Sequence, residues 1–169
     1  MTTLEPKTNL QPTRALPSAA FENFITPALR TLEQAVCVAV CAVEDGSLKR
    51  LSPNDPRPFA QTRAALALLA QCYARQIYSS TDIAGIARND SDFPRLWGEE
   101  YPGAQSFRRF RAENRAAIHR CLVMALRFIG EQKISLGVLT KVSDAQLAEE
   151  ASRRIIMATF IDSMELDGD

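Results

Sequence analysis

Apolar residues recur at intervals of three and four in four separate stretches, and this constrains the chain more than any other feature. Such spacing lays a stripe along one side of a helix, whereas a strand needs alternation by two. Phe21, Phe24, Ala28, Leu29, Leu32, Val36, Ala39, Val40 and Val43 form the first stripe, stopped by Asp45-Gly46, with Thr26-Pro27 marking a start or a break within it. Leu66, Leu69, Ala70, Tyr73 and Ile77 form the second, in a helix expected from about Phe59 to Gln76. Phe107, Phe110, Asn114, Ile118, Cys121, Leu122, Ala125, Leu126 and Ile129 form the third, in a long helix expected over Gln105 to Ile129 and ended by Gly130. The fourth is Leu147, Ala151, Ile155, Ala158 and Ile161, behind an N-cap at Ser143. Ile156, Phe160 and Met164 fall on another side of that last helix, which would pack one stripe and offer the second.

Between the second and third stripes, Ser79-Ser80-Thr81-Asp82 has capping-box spacing and predicts a short helix to Asn89, with Ile83, Ile86 and Ala87 inward. Phe93, Leu96 and Trp97 form an apolar cluster closed by Gly98, Pro102 and Gly103. The only β-leaning stretch, Ile134 to Val142, is broken by Gly137. The expected fold is therefore all-α, a helical bundle with a C-terminal amphipathic acidic helix. Its divisions are an arm over 1–17 rich in Pro and polar residues, a helical domain over 18–130, and a linker with the C-terminal helix over 131–169.

A chain of 169 residues with 46% hydrophobic and 24% charged residues has the composition of one globular domain with appendages. The longest apolar run, Ala35 to Val43, is too short to span a bilayer, for which about 18 residues are needed. Cys37, Cys41, Cys72 and Cys121 lie within apolar helical patterns and read as buried small hydrophobes of a reduced, cytoplasmic protein. They lack the paired Cys-x-x-Cys spacing of a zinc site. One histidine, His119, and no Gly-rich phosphate loop leave no nucleophilic or nucleotide chemistry to argue for, so neither an enzyme nor a cofactor is expected.

Twenty basic side chains balance twenty acidic ones, but unevenly. Residues 101–130 carry six Arg against Glu113 alone, and 131–169 carry four basic residues against eight acidic. A basic helix followed by an acidic one either pairs within the fold or serves two partners. Arg108, Arg109, Arg111 and Arg115 fall within two turns beside Gln105 and Ser106, with Arg120 and Arg127 continuing the Arg109 side and Arg111 nearer the apolar stripe. Arginine forks suit bidentate contacts to phosphate and to guanine edges, and a short helix, a turn and such a helix suggest a helix-turn-helix. Asp162, Glu165, Asp167 and Asp169 read as a solvated acidic end.

Asp55-Pro56-Arg57, the run Leu69 to Ile83 (LAQCYARQIYSSTDI), Asp92-Phe93 with Leu96, and Ser106-Phe107-Arg108-Arg109-Phe110-Arg111 with Asn114-Arg115 occur in an order and spacing that carry a likeness. Over roughly 50–128 the chain resembles the N-terminal domain of bacterial DDE insertion-sequence transposases. The resemblance implies a helical DNA-binding region whose Arg-Phe-Arg stretch opens a recognition-like helix, without the catalytic domain, since about forty residues remain beyond it. The expectation is a non-catalytic DNA-binding protein, with regulation as a candidate role, that contacts double-stranded DNA through Gln105, Ser106, Arg108, Arg109, Arg111 and Arg115. The alternative is a protein-interaction or assembly module, a homo-oligomer or a partner's dock, using Leu147, Ile155, Phe160 and Met164 of the acidic helix.

Overall fold

The computed structural model describes residues 31–52, 59–89, 97, 101–137 and 140–167. Among these residues six α-helices follow one another and no strand occurs: α1 (Leu32–Cys41), α2 (Ala60–Ala74), α3 (Ser80–Asn89), α4 (Ala104–Glu113), α5 (Arg115–Ser135) and α6 (Asp144–Asp167), with a 3-10 turn at Asp45–Ser47. The expectations for the arm 1–17, for Phe21 to Leu29, and for Phe93 and Leu96 lie outside the described residues. No described helix is long and apolar enough to cross a membrane.

Alanine and leucine ring α2 on nearly every side, and a helix so composed has to be enclosed. Eleven of its fifteen residues are buried. It packs on α1, α3, α5 and α6, while α5 lies along α1, α2 and α6, and α3 and α4 pack on each other. Leu147, Ala151, Ile155 and Ala158 of α6 join the same hydrophobic core as α1, α2 and α5. The acidic helix is thus integral to the fold.

The helix ends follow from local chemistry. Thr31 caps α1, its hydroxyl accepting from the Gln34 amide at 3.2 Å. Ser143 caps α6 reciprocally: its hydroxyl accepts from the Gln146 amide at 3.2 Å while its own amide donates to the Gln146 side chain at 2.9 Å. α2 closes in a Schellman turn, with the Ile77 amide donating to the Cys72 carbonyl at 2.8 Å and the Gln76 amide to that of Tyr73 at 3.2 Å. Gln76 takes the left-handed position there, φ 65°.

Three expectations are corrected. The helix expected over Gln105 to Ile129 is two helices, because Asn114 leaves helical geometry and uses its side chain in tertiary bonds. It also runs through Gly130 to Ser135 and closes on Gly137 at φ 72°. An isolated glycine costs a helix about 1 kcal/mol, too little to stop one held by packing. A Cβ at Gly130 would meet nothing within 4 Å. Gly130→Ala should therefore raise stability by about 0.5–1 kcal/mol in urea denaturation; a destabilised variant would contradict the packing described. Finally, Cys72 and Cys121 are buried as expected but Cys37 and Cys41 are exposed. α1 turns Ala35, Val36, Ala39 and Val40 inward, and the two cysteines, one turn apart, lie on the other side.

Candidate nucleic-acid interface

The basic and acidic blocks fold onto each other, but only in part. Arg111 is 5% exposed. Its guanidinium donates to the Tyr73 hydroxyl at 3.0 Å, to Ser80 Oγ at 3.3 Å and to the Asp162 carboxylate. Asp162, 3% exposed, also accepts from the Ser80 amide at 2.8 Å and the Ser80 hydroxyl at 2.6 Å. Beside it Arg108 lies 3.6 Å from Asp162 and donates to Glu165 at 3.2 Å. Glu165 accepts from the Ser79 and Thr81 hydroxyls. At the other end of α6, Asp144 pairs with Arg127 at 2.9 Å. The acidic end is thus no solvated tail at Asp162 and Glu165: these side chains sit on the N-terminus of α3, whose unsatisfied amides and positive dipole end favour carboxylates.

The expected capping box is modified accordingly. Ser79 Oγ accepts from the Thr81 and Asp82 amides, and the next free amide, that of Ser80, donates to a carboxylate from 82 residues away, Asp162. Burial raises the pKa of Asp162, yet the two bonds from Ser80 and the Arg111 guanidinium outweigh it and hold the carboxyl below its ordinary value. Stability from a depressed carboxylate is present above the unfolded pKa, near 4, and is lost as pH falls through the folded one. Acid titration followed by circular dichroism should show that loss below about pH 4, and Asp162→Asn should be less stable at neutral pH with a flatter acid limb. Burial also pushes the Tyr73 phenol up to about 12, so it serves Arg111 as a neutral acceptor.

What remains outside this network is a basic corner. Asn114, 3% exposed, accepts from the Lys49 amide at 2.8 Å and donates to the Lys49 carbonyl at 3.1 Å and the Phe110 carbonyl at 3.1 Å. This fastens the segment 48–51 to the junction of α4 and α5. The Arg109 guanidinium donates to the Leu51 carbonyl on the same side. Lys49, Arg50, Arg109 and Arg115 are all exposed there, and no carboxylate among the described residues lies within salt-bridge distance of them. Arg50 lies over the Phe59 ring at 5.1 Å from its centre. Gln105 is exposed and Ser106 half-buried one turn ahead of Arg109, and Glu113 is exposed one turn after it. Arg115 and Arg120 also edge an open groove between α5 and α6 with His119 and Ser152.

Of the six residues expected to meet DNA, Gln105, Ser106, Arg109 and Arg115 therefore reach the surface, Arg108 is largely engaged by α6, and Arg111 does not face solvent. Lys49 and Arg50 join them and were not anticipated. The one signal in the sequence was Asn114, a polar residue within an apolar stripe, and it does not say what it binds. Likewise Leu147 and Ile155, expected to meet a partner, belong to the core, while Phe160 and Met164 are exposed. α3 and α4 pack together, but the fourteen residues between Asn89 and Ala104 far exceed the roughly three or four of a helix-turn-helix turn. Among the described residues no group of three His, Cys, Asp or Glu gathers as a metal ion would require. No protein family, curated protein or solved structure matches the chain.

Proposed function

We propose that this chain is a non-catalytic DNA-binding protein, of the kind its resemblance to transposase N-terminal domains implies, that meets the duplex with the corner where α4, α5 and the segment 48–51 converge. The observation that carries this reading is the cluster of four exposed cations, Lys49, Arg50, Arg109 and Arg115, with no carboxylate partner among the described residues, in a chain of zero net charge. Such cations contact phosphates, which position a protein without reading sequence. Gln105 and Ser106, at the start of α4, are the side chains placed for base edges beside them. Arg108 and Arg111 act from beneath, fixing α4 to α3 and α6 rather than touching DNA.

Four phosphate contacts predict a salt slope of about −3 to −4 in the logarithm of affinity against the logarithm of salt concentration. Fluorescence anisotropy with a labelled random-sequence duplex measures it. Arg109→Ala with Arg115→Ala should weaken binding at every sequence and flatten the slope by about two, with unchanged helix content. Selection from a random duplex pool, with Gln105→Ala as control, tests base readout. Absence of binding at low salt, or binding indifferent to the double variant, overturns the proposal.

A further inference from the structure

The seam between α5 and α6 neutralises one arginine of α5 and leaves two. Arg120 and Arg127 stand seven residues apart, on one side of the helix. Against Arg127, α6 sets Asp144 at 2.9 Å. Against Arg120 it sets Ser152 and Ile155, and there the helices part into an open groove of about 570 Å³ lined by Arg115, Ala116, His119, Arg120, Ser152 and Ile155. The four residues from α5 share one face, since they pair at intervals of four. Arg115 and Arg120 are exposed, and among the described residues no carboxylate lies within salt-bridge distance of either. The acids nearest in sequence are turned elsewhere: Glu150 pairs with Arg153 and Arg154, and Glu113 and Glu149 do not line the groove.

The walls between the two guanidinium groups are held in place. His119 Nε2 lies 2.9 Å from the Ala148 carbonyl oxygen, and the Ser152 hydroxyl donates to that same oxygen at 3.0 Å. Ile155, 1% exposed, closes the floor. The groups left to meet a ligand are two arginine forks, whose planar donors match the oxygens of a phosphate. We infer that this groove binds a phosphate group, held between Arg115 and Arg120. Two sources carry those oxygens, the backbone of a bound duplex and a free phosphorylated molecule. Continuity favours the duplex: Arg115 belongs both to the groove and to the basic corner, and Arg120 follows it by about 7.5 Å along the helix axis. That assignment rests on the function proposed above, whereas the phosphate site itself does not. Arg120 then adds a fifth phosphate contact to the four of the corner.

His119 is the only histidine of the chain, so its ring signals in nuclear magnetic resonance report on the groove alone. Inorganic pyrophosphate titrated into the full chain should move them, while sodium chloride at equal ionic strength should not. Arg120→Ala should weaken pyrophosphate binding about threefold to tenfold with unchanged helix content, since its side chain is exposed. A labelled duplex should move the same signals, and Arg120→Ala should flatten its salt slope by about one. Pyrophosphate that leaves the His119 signals unmoved, or moves them equally in the Arg120 variant, overturns the inference. If pyrophosphate binds as expected but duplex binding ignores Arg120→Ala, the site stands for a free phosphorylated molecule and the duplex assignment falls. A chain that binds pyrophosphate here and no duplex at low salt overturns the proposed function and leaves the phosphate site intact.

Discussion

Arg111→Ala is expected to cost about 3–5 kcal/mol of folding stability, because it strands the buried Asp162 carboxylate and removes the donor that satisfies Tyr73. Ser80 would still donate its amide and hydroxyl to Asp162, which keeps the loss from being larger. Urea denaturation followed by circular dichroism measures the change, and a loss below about 1 kcal/mol would mean that the pair is hydrated. The consequence for function is specific. DNA binding by the Arg111 variant should fall only as its folded fraction falls, whereas Arg109→Ala, which loses one bond to the Leu51 carbonyl at an exposed position, should weaken binding at a stability cost of no more than about 1 kcal/mol. A scan that treated the four arginines of α4 and its junction as equivalent would mistake unfolding for lost recognition.

Phe107→Ala is the second large effect, again about 3–5 kcal/mol. Phe107 is fully buried where α4 meets the core, edge-on to Trp97 with ring centres 6.3 Å apart. Trp97 is itself 1% exposed, and its carbonyl accepts from the Gln61 side chain at 2.8 Å, tying the pair to α2. As the only tryptophan of the chain, Trp97 reports on this packing directly. The variant should move its emission to longer wavelength under native conditions, and an unshifted spectrum with unchanged stability would contradict the seating of α4 described above.

The residues that define the helices were legible because helix formation and burial are local and periodic. The stripes through Val36 to Val40, Leu66 to Tyr73, Ile118 to Leu126 and Leu147 to Ala158 each became an inward face, and the caps at Ser79 and Ser143 formed where their side chains allow. The helix boundaries at Asn114 and Gly130 were not legible in the same way. Whether a polar residue or a glycine ends a helix depends on what the rest of the fold offers it, and here Asn114 found the Lys49 backbone, 65 residues away.

The candidate site divides along the same line. By itself the sequence determined that cations would concentrate over 101–130 and acids over 131–169, and that the last helix would carry two apolar faces. Only the tertiary structure decided which charges cancel. α6 runs back along α5 so that Asp144 reaches Arg127 and Asp162 and Glu165 reach Arg108 and Arg111, leaving Arg109 and Arg115 at the surface with Lys49 and Arg50. Charge is written residue by residue, but its neutralisation is a pairwise property that falls steeply with distance and exposure. Distances between segments sixty or eighty residues apart exist only once the helices have packed.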